Sequence, residues 1–317
     1  MKVINGLSEI TAPFHKAVVA IGNFDGVHRG HQAIFETVRQ KAAAIGGTAV
    51  AITFDPHPVK VLNKKQSPPL ITRLDQKIEL IGALGIDVTI CIPFDESFAA
   101  LTAREFTEDI LVGKIGMKAI VIGRDYTFGK NRKGDVNYLN EAGDRLGFEV
   151  MVADWIPMGK DLPERVSSTR VREVIEAGDV AYAHTLLGRY YQLKGRVRSG
   201  RSRGGRLLGF PTANINLQDE LCPKMGVYAV TVQLGSGRYK GVANIGYSPT
   251  FDDYVFTVEV HLLDFSGDLY DQEIRVNFIC RIRDEKKFNN VDELSAQITR
   301  DIETAKAILS ETEAVAQ

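Results

Sequence analysis

The run Gly22-Asn23-Phe24-Asp25-Gly26-Val27-His28-Arg29-Gly30-His31 constrains this chain more than any other stretch, because of what flanks it. Ala17 to Ile21 ahead of it is an apolar run that reads as a buried strand. Behind it, Ile34, Phe35, Val38, Ala42 and Ile45 recur with helical period. The run is therefore a strand-to-helix turn. In an open parallel sheet such a turn lies at the carboxyl end of a strand, and the next helix aims unpaired N–H groups and its positive dipole end outward. A phosphate is the natural occupant. Gly22, Gly26 and Gly30 let the backbone approach it closely, Phe24 and Asp25 lie between them in the same turn, and His28 and His31 can face one crevice.

A length of 317 residues suits two domains. The net charge of -1 gives no global attraction to nucleic acid or to an acidic membrane, so an anionic ligand must be held by local features. No signal-like start and no bilayer-spanning run is present, which implies a soluble, cytoplasmic protein, expected as a monomer or weak homo-oligomer. Cys91, Cys222 and Cys280 have no metal-ligand spacing and are expected to be buried free thiols.

Apolar, β-branched runs recur at Val18–Ile21, Val50–Phe54, Val88–Phe94, Ile120–Gly123 and Phe148–Ala153, with helical patterns between most of them. This predicts an α/β domain with a parallel sheet, residues 1–187. Thr102 to Glu105 is a capping box, Gly46-Gly47 ends the first helix, and Asp55-Pro56-His57-Pro58 and Ser67-Pro68-Pro69 read as loops. From about Gly188 strand-like runs follow one another without helices: Gly226–Leu234, Tyr239–Ile245, Phe256–Phe265 and Glu273–Arg283. A small antiparallel β-barrel over 188–317 follows, closed by an amphipathic helix that Asn290 caps and that carries Leu294, Ile298, Ile302 and Leu309 on one face.

A second constellation, Val166-Ser167-Ser168-Thr169-Arg170-Val171-Arg172, opens another helical pattern. Hydroxyls there cap helices, but two arginines oppose the dipole and so point to an anionic partner. Together these runs resemble the His-x-Gly-His and Ser-Ser-Thr-x-x-Arg motifs of the nucleotidyltransferase superfamily. With Asn-Phe-Asp-Gly-Val in front, they resemble the bacterial bifunctional riboflavin kinase/FMN adenylyltransferases, or FAD synthetases. The resemblance implies that His28, His31 and Arg172 stabilise a triphosphate. It also places Ser167, Ser168, Thr169 and the glycine-rich run, Gly22, Phe24, Asp25, Gly26 and Gly30, around ATP. Thr53 to Pro58 and Gly123 to Gly129 resemble the family's crevice motifs, which makes Phe54, Asp55, His57, Asp125 and Phe128 candidates for flavin contact.

The resemblance extends through the second half. Lys194 to Arg206 carries six basic residues and no acid, and reads as a flexible basic approach to Gly209-Phe210-Pro211-Thr212-Ala213-Asn214. That hexapeptide is similar to the riboflavin kinase signature, which implies phosphate contacts at Gly209 and Pro211, and Mg²⁺ held with ATP by Thr212 and Asn214. In Val258 to Leu262, strand alternation puts Val258, Val260 and Leu262 on one face and Glu259 with His261 on the other. A primary hydroxyl needs a proton acceptor to attack phosphorus; Glu259 is the candidate, ionised without any shift of its pKa, and His261 the rival. The chain departs from the family at Asp252, Asp253 and Asp271, where glycine is usual.

The implied chemistry is phosphorylation of riboflavin to FMN, releasing ADP, then adenylyl transfer from ATP to FMN, giving FAD and pyrophosphate. Two alternatives stand beside it: an adenylyltransferase for another phosphate monoester, and a non-catalytic flavin-binding module.

Overall fold

The computed structural model describes residues 1–63, 67–154, 156–159, 162–198, 212–215, 217, 219–249 and 254–315. The chain forms two compact units, Met1–Ser168 and Thr169–Gln317. The division falls before the change of sequence texture near Leu187, because the two helices preceding that point are built onto the second unit.

The first unit is a six-stranded parallel sheet of β1 (Lys2–Asn5), β2 (Ala17–Ile21), β3 (Ala49–Asp55), β4 (Val88–Pro93), β5 (Met117–Gly123) and β6 (Glu149–Ala153), in the order β1-β4-β3-β2-β5-β6. β1 was not legible in the sequence: it has four residues, of which Ile4 alone is buried. Strands covered on both faces must be apolar at every position, and β2 is buried throughout. Val18, Ala20, Ala51 and Val121 face one layer with Phe35 and Val38 of α1 (Arg29–Ile45). Val19, Ile21, Ile52 and Ile120 face the other, with Phe106 and Leu111 of a π-helical stretch (Phe106–Lys114) and further apolar side chains. The Thr102 capping box is formed, and Gly46 ends α1 in the left-handed region. The expected loop at Pro58 is instead the start of a short helix, α2 (Pro58–Leu62), which His57 caps. The unit also holds α3 (Leu74–Ala83), α4 (Glu96–Ala99), α5 (Ala103–Glu105), α6 (Val136–Leu146) and the hairpin β7 (Pro157–Gly159) with β8 (Leu162–Arg165).

Neighbouring β2 and β5 are where the order of connections reverses, so the carboxyl ends of these strands open the sheet's natural crevice. The Gly22–His31 turn leaves one and the Gly123–Gly129 run leaves the other.

The second unit takes in α7 (Ser168–Glu176), α8 (Val180–Leu187) and a closed antiparallel barrel. Its strands are β9 (Tyr191–Arg198), β10 (Ala213–Ile215), β11 (Gly226–Leu234), β12 (Gly237–Pro249), β13 (Tyr254–Leu262) and β14 (Glu273–Arg283), ordered β10-β13-β12-β11-β14-β9 and back to β10. β9 corrects the reading of Lys194 to Arg198 as part of a flexible approach; Arg201, Arg203 and Arg206 lie outside the described residues. Lys194, Arg196 and Arg198 alternate with Leu193, Gly195 and Val197, so the basic residues are the outer face of a strand whose other face is core. Asp271 has φ 59, the left-handed region an aspartate tolerates.

The terminal helix α9 (Val291–Val315) packs on β11, β12 and β14 as expected. Ala305 and Leu309 bury against Ala229 and Ile279, while Leu294, Ile298 and Ile302 are half-buried. A bidentate pair, Arg283 Nε to Asp301 Oδ1 at 3.0 Å and Nη2 to Oδ2 at 2.7 Å, ties it to β14. Cys91 is buried, but Cys222 and Cys280 are only half-buried.

Candidate active sites

The turn after β2 holds a strained backbone. Phe24 and Val27 have φ of 47 and 40, and Gly26 has 83. For a buried β-branched residue such a conformation costs about 1–3 kcal/mol and persists only where neighbours enforce it. Asp25 is the enforcer. Its carboxylate is 1% exposed and accepts from the N–H groups of Ile71 and Thr72 at 3.1 and 3.0 Å, while Thr72 Oγ1 accepts from Gly26 N–H at 3.0 Å. Asp25 therefore shapes the turn, its oxygens engaged by donors inside the protein.

The turn delivers His28 as N-cap of α1, with His31 one turn along. Their rings stack at 3.6 Å between centroids, and Phe24 meets His31 edge-on at 5.2 Å. A methyl group at Gly30 would stand 3.1 Å from the His28 ring, so a larger residue there would displace the histidine. The Ser-Ser-Thr run reaches the same place: Ser168 Oγ donates to the Asp25 carbonyl at 2.9 Å. Ser167 precedes it and Thr169 opens the second unit. Arg172 lies four residues beyond Ser168, on the same face of α7 by helical period. Arg170 pairs with Glu173 at 3.0 Å.

Around the neighbouring strand ends runs an aromatic chain: Phe54 to Phe94 and Phe98, Phe98 to Phe106, Phe106 to Phe128, and Phe128 to Tyr126, at 5.5–5.8 Å between centroids. Phe54 and Phe128 are thus brought into one wall, of which the sequence reading had only two members. Asp55 is exposed at the end of β3, and His57 spends its Nδ1 on capping α2. Asp125 pairs with Arg165 at 2.6 Å, which holds its carboxyl below the usual carboxylate range. A cavity of about 510 Å³ opens beside it, lined by Arg124, Asp125, Tyr126, Thr127, Asp135 and Val136 among others.

In the barrel, register does the assembly. Glu259 on β13 stands opposite Asn214 on one side and Asn244 on the other. Val258, Val260 and Leu262 are buried in the core, whereas Glu259 and His261 are half-buried on the opposite face, as alternation required. His261 faces Val242, so the Asn214 row contains the carboxylate and not the imidazole. Thr212 Oγ1 and Asn214 Nδ2 are buried without a hydrogen-bond partner among the described residues, a costly arrangement unless a ligand supplies one. Burial pushes the Glu259 carboxyl above its ordinary value, which corrects the expectation of an unshifted group. Gly209 and Pro211 lie outside the described residues.

Two residues escaped the sequence reading. Asn244 is visible only once β12 and β13 are in register. Lys77 sits in an ordinary amphipathic helix, and nothing in the sequence announced that it would be buried.

Comparison with known proteins follows the same two-part division. A family model for FAD synthetase matches residues 11–170, and one for riboflavin kinase matches 187–309. The chain is 40% identical over 308 residues, 96% of this chain and 97% of the relative, to the bifunctional riboflavin kinase/FMN adenylyltransferase of Escherichia coli strain K12. With the enzyme of that name from Haemophilus influenzae it shares 40% over 98% of this chain and 100% of the other, and with that of Bacillus subtilis 39% over 93% and 96%. A crystal structure of a Streptococcus pneumoniae protein called a macrolide-efflux protein matches with a TM-score of 0.86 and 32% identity, over 96% of this chain and 99% of that one. Among the described residues here, no helix is long and apolar enough to cross a membrane.

Proposed function

The chain belongs to the bifunctional riboflavin kinase/FMN adenylyltransferase family, and from that premise we propose how its residues divide the two reactions of flavin cofactor synthesis. The barrel converts riboflavin to FMN and the α/β unit converts FMN to FAD, both from ATP. The observation that carries the division is that two separate constellations, His28 with His31 and Asn214 with Glu259, each suit one of these steps and differ in what they can do chemically.

In the barrel, Glu259 accepts the proton of the ribityl 5′-hydroxyl as its oxygen attacks the γ-phosphorus, and ADP leaves. The Thr212 hydroxyl and the Asn214 amide nitrogen, without a hydrogen-bond partner among the described residues, face the phosphates. Mg²⁺ fits here: a hydroxyl and an amide oxygen are hard donors, and the ion ordinarily takes few protein ligands and keeps its phosphates and waters. No cluster of three or more His, Cys, Asp or Glu that could hold a metal by itself occurs among the described residues. The ion would supply charge neutralisation on the phosphates. In the α/β unit, an FMN phosphate oxygen attacks the α-phosphorus of ATP and pyrophosphate leaves. The nucleophile is already an anion, so the protein's task is to stabilise charge. His28, His31 and the N–H groups that open α1 do this, with the aromatic wall through Phe54 and Phe128 as the flavin's surface.

Incubating the pure protein with riboflavin and Mg-ATP, and separating the flavins by chromatography, tests the whole reading. FMN should appear first and FAD after it. FMN without FAD removes the assignment to the α/β unit, and FAD formed only from supplied FMN removes the assignment to the barrel.

A further inference from the structure

Lys77 is a charge beneath the phosphate turn that the chemistry above leaves unused. It lies in the first turns of α3 and is 6% exposed. Its Nζ donates to Thr53 Oγ1 at 3.3 Å, and that hydroxyl donates to the Asn23 carbonyl at 3.1 Å. The ammonium thereby joins the end of β3 to the entry of the turn. Asp25, which enforces the turn, and Asp55 both attract it, and Cys91 of β4 is close enough to add to that electrostatic pull. Taking an ammonium out of water costs several kcal/mol, and packing alone would be served as well by a methionine. A charge kept there is accounted for by what it holds. Asp25, buried and accepting from the N–H groups of Ile71 and Thr72, is one of the groups that attract it.

We propose that Lys77 is a positioning residue for adenylyl transfer: bridging Thr53 and facing Asp25, its ammonium holds the Gly22–His31 turn in the strained shape that presents His28 and His31 to the ATP phosphates. This rests on reading that turn as the adenylyl-transfer site. Burial lowers the lysine's pKa, and the charges of Asp25 and Asp55 pull it back only in part. The supporting charge is thus lost at a less alkaline pH than an exposed lysine's would be.

The test uses the full-length protein with FMN and Mg-ATP supplied, and follows kcat for FAD formation from neutral pH to beyond the ordinary lysine pKa. Wild type should lose activity along an alkaline limb with its midpoint below about 10.4. In Lys77→Arg, whose guanidinium stays charged, the limb should vanish while neutral activity stays within about threefold. Lys77→Met should lose on the order of tenfold or more at neutral pH with little change in KM for ATP, and should also lack the limb. A limb that persists unmoved in Lys77→Arg, or full activity in Lys77→Met, overturns the proposal. Should Lys77→Met fail to fold, the wild-type and Lys77→Arg profiles decide alone. A wild type that makes no FAD from FMN overturns the site reading itself, an outcome distinct from these.

Discussion

The two sites are built from different materials. In the α/β unit the turn is locked before any ligand arrives: Asp25 is clasped by Ile71 and Thr72, the histidines are stacked, and helix N–H groups point into the crevice. In the barrel the working groups are side chains on or beside three adjacent strands, and Thr212 Oγ1 and Asn214 Nδ2 have no hydrogen-bond partner among the described residues. The difference follows the chemistry. A nucleophile that is already charged asks only for fixed positive potential, which rigid backbone supplies best. A hydroxyl asks for a group that changes protonation state, which a strand carboxylate in a partly desolvated row provides.

If that contrast is right, the largest single effect belongs to Glu259. Glu259→Gln should cut riboflavin phosphorylation by about 10²-fold or more while leaving adenylylation of supplied FMN intact. Because burial raises the pKa of Glu259, the kinase rate should fall with decreasing pH along a limb that lies above the ordinary glutamate value. The sign for stability runs opposite. A carboxyl with a raised folded-state pKa favours the fold when protonated, and that advantage is lost as pH rises through the folded pKa. The Gln variant, scanned by thermal unfolding at neutral pH, should therefore be at least as stable as wild type. Full kinase activity in Glu259→Gln with none in His261→Ala would transfer the role of base to the histidine.

Next in size are His28→Ala and His31→Ala, where a loss of about 10²-fold in adenylylation is the ordinary cost of removing a transition-state stabiliser. FMN binding, followed by flavin fluorescence, should change much less, and the kinase not at all. Unchanged FAD formation in both variants would reduce the histidine pair to a packing feature.

Thr212→Ala and Asn214→Ala should be milder, since each removes one contact to a charged group, worth about 1.5–3 kcal/mol or roughly 10- to 150-fold in rate. The loss should fall on the kinase alone. A comparable loss in both reactions, in a folded protein, would mean the barrel also serves adenylyl transfer.

Much of this contrast was legible beforehand because it is written in period and punctuation. The apolar run of β2, the glycines of the turn and the helical repeat of α1 lie within one local stretch, and the Glu259 face follows from alternation of two. What escaped depended on tertiary register or on burial. β1 has one inward residue, too few for any period to show. The basic face of β9 looked like a loop because Lys194, Arg196 and Arg198 outweigh the small or apolar residues between them. Asp25 reads as a ligand contact from its neighbours in sequence, and its hydrogen bonds from Ile71 and Thr72, 46 and 47 residues away, could not be read there.

The smallest expected effect on rate concerns where the barrel unit begins. Sequence texture places the boundary at Gly188, yet Val180, Ala183, Leu186 and Leu187 of α8 are buried, α8 packs on β14 and β9, and the His184 ring stacks on Tyr190 at 4.2 Å. A fragment from Ser167 to the end keeps that layer, and one from Gly188 removes it. Both retain Thr212, Asn214 and Glu259, so both should phosphorylate riboflavin at the full-length rate wherever they are folded, and neither should make FAD. They should differ in melting temperature, since each buried leucine contributes about 1.5–3 kcal/mol, which in a unit of this size is several degrees. Equal melting temperatures would show that α8 adds nothing to the barrel and would return the boundary to Gly188. A folded Ser167 fragment with a much reduced kinase rate would instead show that the barrel site borrows from the first unit, and the division of the two reactions between two units would have to be redrawn.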